Sequence, residues 1–574
     1  MLVANARTSG SDPLKKVLVL GGYGGFGSRL SRRLSGDGFH VLVAGRNGEA
    51  AEALARKLPN AIGLRVDRHG DMADVLANHQ PFVVIDAAGP FQNGDHRVAR
   101  ACIAAGIHYI DLADARDFVG TIGALDDAAK MAGVCILSGA SSVPALSSAA
   151  VADLADGMSE VRSIEMAIGA SNRATAGASV ASAILSYVGK PVRLWRGKRW
   201  QDGTGWHMLK RESFMIAGKP RLRRLVALAD VPDHDLLVEG IPGKPAVVFR
   251  AGPEFAFQTL ALWLMSWAVV FGWVSSLQKF NRFLLPLQGL TARLGTARSA
   301  MVIEVKGICR GAMLARRWTL IAENGDGVEI PTLPAQLLTR ALCDDRLCAG
   351  ARAANELLDL TEFRALFRDL AINDAVVEKS YMPLYQRVMG ADFAELSAPV
   401  RTMHEVFGDG GAAGEALVSR GISLPARLVA GLFRFPTAGH HPLHVSFEEN
   451  NGIERWTRDF SGQLFSSHLS KERGHLVERF GPFRFSFDLT PRGNGLSMEI
   501  RKWSLFGLRL PLPLAPRSTA YEWSEDGRFH FDVSIGLLFV GLIVHYRGWL
   551  GQTASCDATP APRHQPVPAD SAES

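Results

Sequence analysis

Between residues 15 and 148, short apolar runs alternate with stretches whose apolar residues recur at helical spacing. The run Val17-Leu18-Val19-Leu20 is apolar at every position, which predicts a strand buried on both faces. Leu30 and Leu34, four apart, predict a helix directly after it. The rhythm returns in Val41-Leu42-Val43-Ala44, in 62–66, in Phe82-Val83-Val84-Ile85, in Ile107-His108-Tyr109-Ile110 and in 134–137. Val98, Cys102 and Ile103 mark one apolar helix face, which Gly106 ends. Strands alternating with helices predict a parallel sheet with crossover helices over 14–148.

The pattern then changes. Runs at 161–168, 246–250, 301–306 and 318–322 predict strands set further apart, with helices at 334–342 and 361–367, hence an α+β region over 149–370. Asn324-Gly325-Asp326-Gly327 has the composition of a hairpin turn. Residues 371–380 read as a link, and 404–423, glycine-rich at 408–414, as helix or loop. From Leu443 to Tyr546 short alternating runs follow one another, with turns at Asn450-Asn451-Gly452 and Asp526-Gly527. They predict a mainly antiparallel β domain over 381–550, a curled sheet or barrel. The tail 551–574, rich in Ala, Pro and Ser, predicts disorder.

One segment departs from all this. Residues 255–277 carry no charge and crowd Trp263, Trp267, Phe271 and Trp273 together. A helix of about 20 residues reaches across a bilayer, yet strands on either side of this one must join a single sheet. The segment therefore reads as a helix lying on a lipid surface, continued to residue 290 by Phe280, Phe283, Leu284 and Leu287 beside Lys279 and Arg282. Its alternatives are a core helix or an oligomer interface, the latter admitting a homodimer.

At 574 residues the chain is too long for one core. A formal net charge of +6, with scattered arginines, gives no argument for nucleic acid but suits an anionic cofactor or membrane surface. The 6 cysteines lie far apart except Cys343 and Cys348, which lack histidines at zinc spacing; His440, His441 and His444 lack a carboxylate partner, so no metal is expected. Residues 1–13 hold no apolar core of a secretory signal. The expected place is the cytoplasm, with peripheral contact to the inner face of the membrane through 255–290.

Chemistry is concentrated at the first turn. Gly22-Tyr23-Gly24-Gly25-Phe26-Gly27 spaces three glycines as G-x-G-x-x-G between a buried strand and a helix. One lets the chain turn, one lets bare backbone approach a pyrophosphate, and one lets helix and strand pack closely. A purely structural turn would use the same residue type. Here the strand before and the helix after supply the context of a dinucleotide site. Arg46, directly after the second strand, stands where an acidic residue would hold a ribose 2′-hydroxyl; a cation suits a 2′-phosphate, so NADP is favoured over NAD. Asp67 ends the third strand, near the place of an adenine. The small residues Ala87-Ala88-Gly89-Pro90 end the fourth, where backbone must pass the nicotinamide ribose.

Gly89-Pro90-Phe91, Val98-Ala99-x-Ala101-Cys102, Gly106-x-His108-Tyr109-x-Asp111 and the stretch from Gly139 to Pro144 together resemble the saccharopine dehydrogenase superfamily, over about the first two thirds of the chain. The resemblance implies a Rossmann domain carrying NAD(P), followed by an α+β domain covering the nicotinamide. Gly350-Ala351-Arg352 resembles the end of that second domain. The C-terminal region resembles a bacterial domain of unknown function fused to such reductases. The expectation is an NADP-dependent oxidoreductase moving hydride between nicotinamide and a small hydrophobic or lipid-like substrate. Tyr109, Asp111 and His96 are the proton-transfer candidates because they lie at the carboxyl ends of parallel strands or open the following helix. The alternative is a non-catalytic nucleotide-binding scaffold or sensor whose C-terminal domain binds lipid or membrane.

Overall fold

The structure, a computed structural model, describes residues 14–92, 94–173, 178–280 and 291–552. The chain divides into two compact units, Met1–Met382 with Phe407–Asp409, and Pro383–Val406 with Gly410–Ser574. Residues 553–574 of the expected tail and residues 281–290 of the apolar segment lie outside the described residues, while 551–552 end a strand.

In the first unit the fully apolar run forms β1 (Lys16–Leu20), with Val17 to Leu20 buried. It pairs in parallel with β2 (His40–Gly45) on one side and β4 (Val83–Asp86) on the other. β3 (Ala61–Arg65) lies beyond β2, and β5 (His108–Asp111) and β6 (Cys135–Ser138) beyond β4. The order β3-β2-β1-β4-β5-β6 reverses between β1 and β4, which opens a crevice at their carboxyl ends. A seventh parallel strand, Gly350–Ala353, joins β6. The resemblance assigned that stretch to the end of the second domain; the chain returns it to the first sheet, where the Ala351 N–H donates to Asp126 Oδ1 at 2.9 Å.

The second sheet also has seven strands, in the order Lys210–Phe214, Leu222–Leu228, Ala246–Gly252, Met158–Gly169, Ser299–Cys309, Ala312–Ala322 and Ile372–Ser380. Ala246–Gly252 and Met158–Gly169 run parallel and the remaining pairs antiparallel. Two expectations change here. Residues 372–380 are an edge strand rather than a link, pairing with Ala312–Ala322 along its length. The hairpin turn lies at Arg310-Gly311, both with positive φ, whereas Asn324 to Gly327 leads into short 3-10 turns because no strand follows to be paired.

The uncharged segment forms a helix over Ala256–Val270, 15 residues long. At 1.5 Å per residue that is about 22 Å, short of the roughly 30 Å of a bilayer core. No helix among the described residues is long and apolar enough to cross a membrane. Thr259 and Ser266 are buried on its inner side, and Phe257 and Leu264 are 58 % and 67 % exposed.

The second unit is an antiparallel β-barrel. Its strands run Asp409–Arg420, Gly439–Asn450, Ile453–Phe460, Gln463–Glu472, His475–Phe480, Phe483–Arg492, Gly495–Leu505, Arg517–Glu525, Arg528–Leu537 and Gly541–Gln552. The strands pair in chain order through their hairpins, Phe483–Arg492 with Gly495–Leu505 among them, and one long-range pairing, Asp409–Arg420 with Gly541–Gln552, closes the barrel. Asp409–Arg420 was expected as helix or loop. Gly414 serves close strand approach instead: a Cβ there would stand 1.9 Å from the Trp549 carbonyl oxygen.

Inward positions alternate along the strands, as with Leu443, Val445 and Phe447. Glu454 is also turned inward, fully buried, and burial pushes its carboxyl up to about 8 against a hydrogen bond from Trp456 Nε1. The folded barrel therefore keeps a proton that the unfolded chain releases above about pH 4.5, and its stability falls as pH rises from there through about 8. Glu454→Gln should stabilise the barrel above about pH 8, by an amount on the order of a few kcal/mol, and leave its stability unchanged below about pH 4. Calorimetry of the full chain across that range reads both arms.

Candidate functional site

β1 leads into Gly21, whose φ of 69° only glycine adopts readily. A Cβ on Gly27 would stand 2.1 Å from the Gly21 carbonyl oxygen, and one on Gly22 2.8 Å from that of Val19. These two glycines are fixed by packing of strand, turn and helix. Gly24 differs. A Cβ there would meet only the Gly21 oxygen, at 3.1 Å, and the residue borders a large cavity. The helix that follows, α1 (Gly27–Gly36), has no side-chain cap, and no backbone carbonyl among the described residues accepts from the N–H groups of Gly25, Phe26 or Gly27. Free amides at the positive end of a helix dipole are an anion site.

The ends of the neighbouring strands frame this turn. Tyr23 lies over Gly45, where a Cβ would come within 2.4 Å of its ring, and its hydroxyl accepts from the Asn47 N–H at 2.9 Å. Arg46, next to it, is exposed along the cavity and ion-paired with no described residue. Asp67 also lines the cavity and holds its own turn, Oδ1 accepting from the His69 N–H at 3.0 Å.

Its neighbour Arg68, which the sequence reading passed over, does more. Its Nη1 donates to the Ala88 carbonyl at 2.6 Å, and its Nη2 lies 3.0 Å from Asp86 Oδ2. Asp86 is fully buried; burial raises its pKa and Arg68 works against that. Together they hold the Ala88-Gly89-Pro90 wall, in which the Gly89–Pro90 peptide is cis. The position of Arg68, one residue past a strand in the expected sheet, was the available signal.

One cavity of about 1070 Å³ joins these groups to a second, apolar wall. That wall comes from the helix Ala178–Tyr187, through Val180, Ile184 and Leu185, from Trp206, and from Leu262 and Met265 of the uncharged helix. Gln92, Asp114, Tyr187 and Asp230 are among the polar side chains that line the cavity. Burial raises the Asp114 pKa against a 3.4 Å contact from Gln92 Nε2. Burial also holds the Tyr187 phenol far above its usual value, with the charges of Asp114 and Asp230 adding to the effect. Asp230 is half-buried, and its pKa is lowered against that desolvation by His234, whose Nδ1 lies 3.9 Å away, and by Arg116, whose Nη1 lies 3.1 Å away. The cluster thus holds one carboxylate fixed in its charged form, one acid biased toward its protonated form and one phenol that stays an O–H donor.

Of the residues expected from sequence, Gly24 to Phe26, Tyr23, Arg46, Asp67 and Ala88 to Pro90 all border the cavity, while Gly22 and Gly27 shape the turn behind them. The proton-transfer candidates do not border it. Tyr109 packs in the core between sheet and helices beside Leu18, Leu20 and Cys102. Asp111 is fully buried, and its Oδ1 accepts from the N–H groups of Gly139 (2.8 Å) and Ala113 (3.0 Å) and from Ser138 Oγ (3.0 Å). That carboxyl ties β5 to the loop after β6. His96 packs on Phe118 at 4.4 Å between ring centroids, with Nε2 3.0 Å from Thr121 Oγ1.

Residues 17–137 match the saccharopine dehydrogenase NADP binding domain, and residues 396–550 match a domain of unknown function, DUF4166. No curated protein matches the chain. Among solved structures, it is similar to an amine dehydrogenase from Mycobacterium smegmatis at 11% identity and a TM-score of 0.33, covering 61% of this chain and 97% of that one. It is also similar to a 3-hydroxyacyl-CoA dehydrogenase type-2 from Mycobacterium avium at 20% identity and a TM-score of 0.20, covering 23% and 74%.

Proposed function

We propose that this chain, whose residues 17–137 are a saccharopine dehydrogenase-type NADP-binding domain and whose residues 396–550 are a DUF4166 domain, is an NADP-dependent oxidoreductase of a hydrophobic, lipid-like substrate. The observation that carries the reading is the continuity of the cavity: a glycine turn with free amides at one side, an apolar wall from two helices at the other, and proton-bearing groups bordering the same space. Its volume of about 1070 Å³ exceeds the roughly 300–1,000 Å³ of a site for one drug-sized molecule.

The dinucleotide supplies or accepts the hydride when bound. The rest falls to the chain. Amides at the start of α1 hold the pyrophosphate, and Arg46 holds the 2′-phosphate. The Arg68–Asp86 pair keeps the Ala88-Gly89-Pro90 backbone in place as a wall of the site. Tyr187 donates a hydrogen bond to the substrate's reacting heteroatom, and Asp114 gives or takes the proton there. Val180, Ile184, Leu262 and Met265 exclude water and receive the substrate's apolar part.

The test is NADPH consumption with a cell lipid fraction. Oxidation that requires the lipid supports the reading; NADPH binding without consumption on any fraction would leave only a nucleotide-binding scaffold. For cofactor choice, Arg46→Asp should weaken NADPH about 10- to 100-fold relative to NADH, by loss of a charge-assisted contact and gain of a repulsive one. Fluorescence titration of both nucleotides measures it. An unchanged ratio would take the 2′-phosphate away from Arg46.

A further inference from the structure

The second unit holds a cavity of its own, independent of the nucleotide chemistry. It occupies about 270 Å³ inside the barrel; its lining is mainly apolar, with Phe435, Phe460, Phe465, Phe480 and Phe485 prominent, and also includes Arg458, Glu478 and Glu522. That is just under the roughly 300 Å³ at which small-molecule sites begin, which suits one narrow apolar group. One end of the barrel is plugged by the helices Leu384–Met389 and Ala398–His404. There Tyr385 stacks on His404 at 3.7 Å, and His404 Nε2 lies 2.6 Å from Glu522. At the other end the helix Leu424–Leu432 joins two strand ends and contributes Val429 to the cavity lining, with Ser423 Oγ donating to the Val540 carbonyl at 3.0 Å.

That helix is inside out. It buries Ala426 and Ala430 and turns Leu424, Leu428 and Leu432 outward, the last two 74 % and 77 % exposed. A helix facing water does the reverse. The strand registers place the turns at 461–462, 481–482, 506–516 and 538–540 at this same end, and Ile422, Phe506, Leu508 and Phe539 are exposed there, Phe539 at 96 %. The segments 421–441, 505–517 and 536–544 contain no Asp or Glu. Arg427, Arg434, Arg509 and Arg517 are exposed in them, ion-paired with no described residue. The turns at the opposite end, 450–452, 472–474, 492–494 and 525–527, are polar and of mixed charge.

A large apolar patch marks a docking surface, and the arginines interleaved with it, which outnumber the Asp459 carboxylate that caps the 461–462 turn, select an anionic lipid surface. A second copy meeting the same rim would set arginines against arginines. We propose that the barrel docks by this rim on an anionic bilayer and takes one apolar lipid chain from it into the aromatic cavity. The inference does not rest on the oxidoreductase reading, and NADPH binding, measured in parallel, fails separately from it.

The full chain is sedimented with vesicles of phosphatidylcholine, with and without phosphatidylglycerol, and titrated with the fluorescent fatty acid cis-parinaric acid. The expected result is sedimentation with the anionic vesicles only, weakening with salt, and parinarate fluorescence that oleic acid displaces. The triple substitution Leu428→Ser, Leu432→Ser, Phe539→Ser should lower the sedimented fraction at least about tenfold and leave NADPH binding unchanged. Ala520→Phe, which fills the cavity, should abolish parinarate fluorescence while sedimentation persists. The proposal is overturned by equal sedimentation with both vesicles or with neither, by absence of parinarate binding to the unaltered chain, or by a rim-dependent dimer in place of vesicle binding. It is equally overturned if sedimentation survives the rim substitutions but is lost in Leu264→Ser, on the first unit's exposed helix, with Trp273→Ser just past it.

Discussion

Gly24→Asp should abolish dinucleotide binding while the first unit still folds. The Cβ introduced there meets only the Gly21 carbonyl oxygen, at 3.1 Å, a contact that a shift of a few tenths of an ångström relieves. The carboxylate, by contrast, stands beside the free amides of Gly25 to Gly27, where it takes the place of the pyrophosphate and repels what remains of it. Two or more charge-assisted hydrogen bonds lost, at about 1.5–3 kcal/mol each, correspond to at least a hundredfold weaker binding. Gly27→Ala separates packing from binding: its Cβ at 2.1 Å from the Gly21 oxygen forces strand and helix apart, so the melting temperature falls along with affinity. NADPH fluorescence titration beside thermal unfolding of the two variants reads the contrast. Full affinity in Gly24→Asp would remove the pyrophosphate from this turn.

That contrast also shows what a sequence can and cannot carry. Three glycines at the right spacing announce a turn, but only the coordinates divide them into two that pack and one that faces a ligand. The strands most legible in advance were those whose burial is total or strictly alternating, such as Val17 to Leu20 and Leu443 to Phe447. The barrel's closing strand, Asp409–Arg420, was illegible because Gly414 answers a contact with Trp549, more than a hundred residues away, and the small residues around it leave no strong apolar alternation to see. The uncharged segment suggested a long helix, yet Gly272, with φ 74°, lies just past the helix and apolar composition alone does not fix length. Tyr109 and Asp111 had the right strand ends but the wrong direction, one turned into the core beneath the helices and the other spent on loop amides. Asp114, three residues on, lies past the strand end where the crevice opens. Its partners Tyr187 and Asp230 come from segments that nothing in the local pattern links to it.

Asp114→Asn should lower turnover by about 10²- to 10⁴-fold with NADPH affinity unchanged, the range lost when a positioned proton donor is removed. Burial holds the Asp114 carboxyl's pKa above that of an exposed aspartate, so in the proposed reaction it is the acid in the direction of reduction. In that direction the rate should hold at low pH and fall as pH rises through the raised pKa, because only the protonated form donates; in the direction of oxidation the limb is reversed. Asp114→Asn carries no titrating proton, and the residual rate should lose that limb. Tyr187→Phe makes the complementary change. Its phenol stays protonated throughout, so losing it should lower turnover without altering the shape of the pH profile. A pH profile whose limb survives in Asp114→Asn would move proton transfer to another group, with Asp230 excluded as the acid because Arg116 and His234 hold it in its charged form. NADPH oxidation by the active lipid fraction, followed across pH for the three proteins, decides between these outcomes.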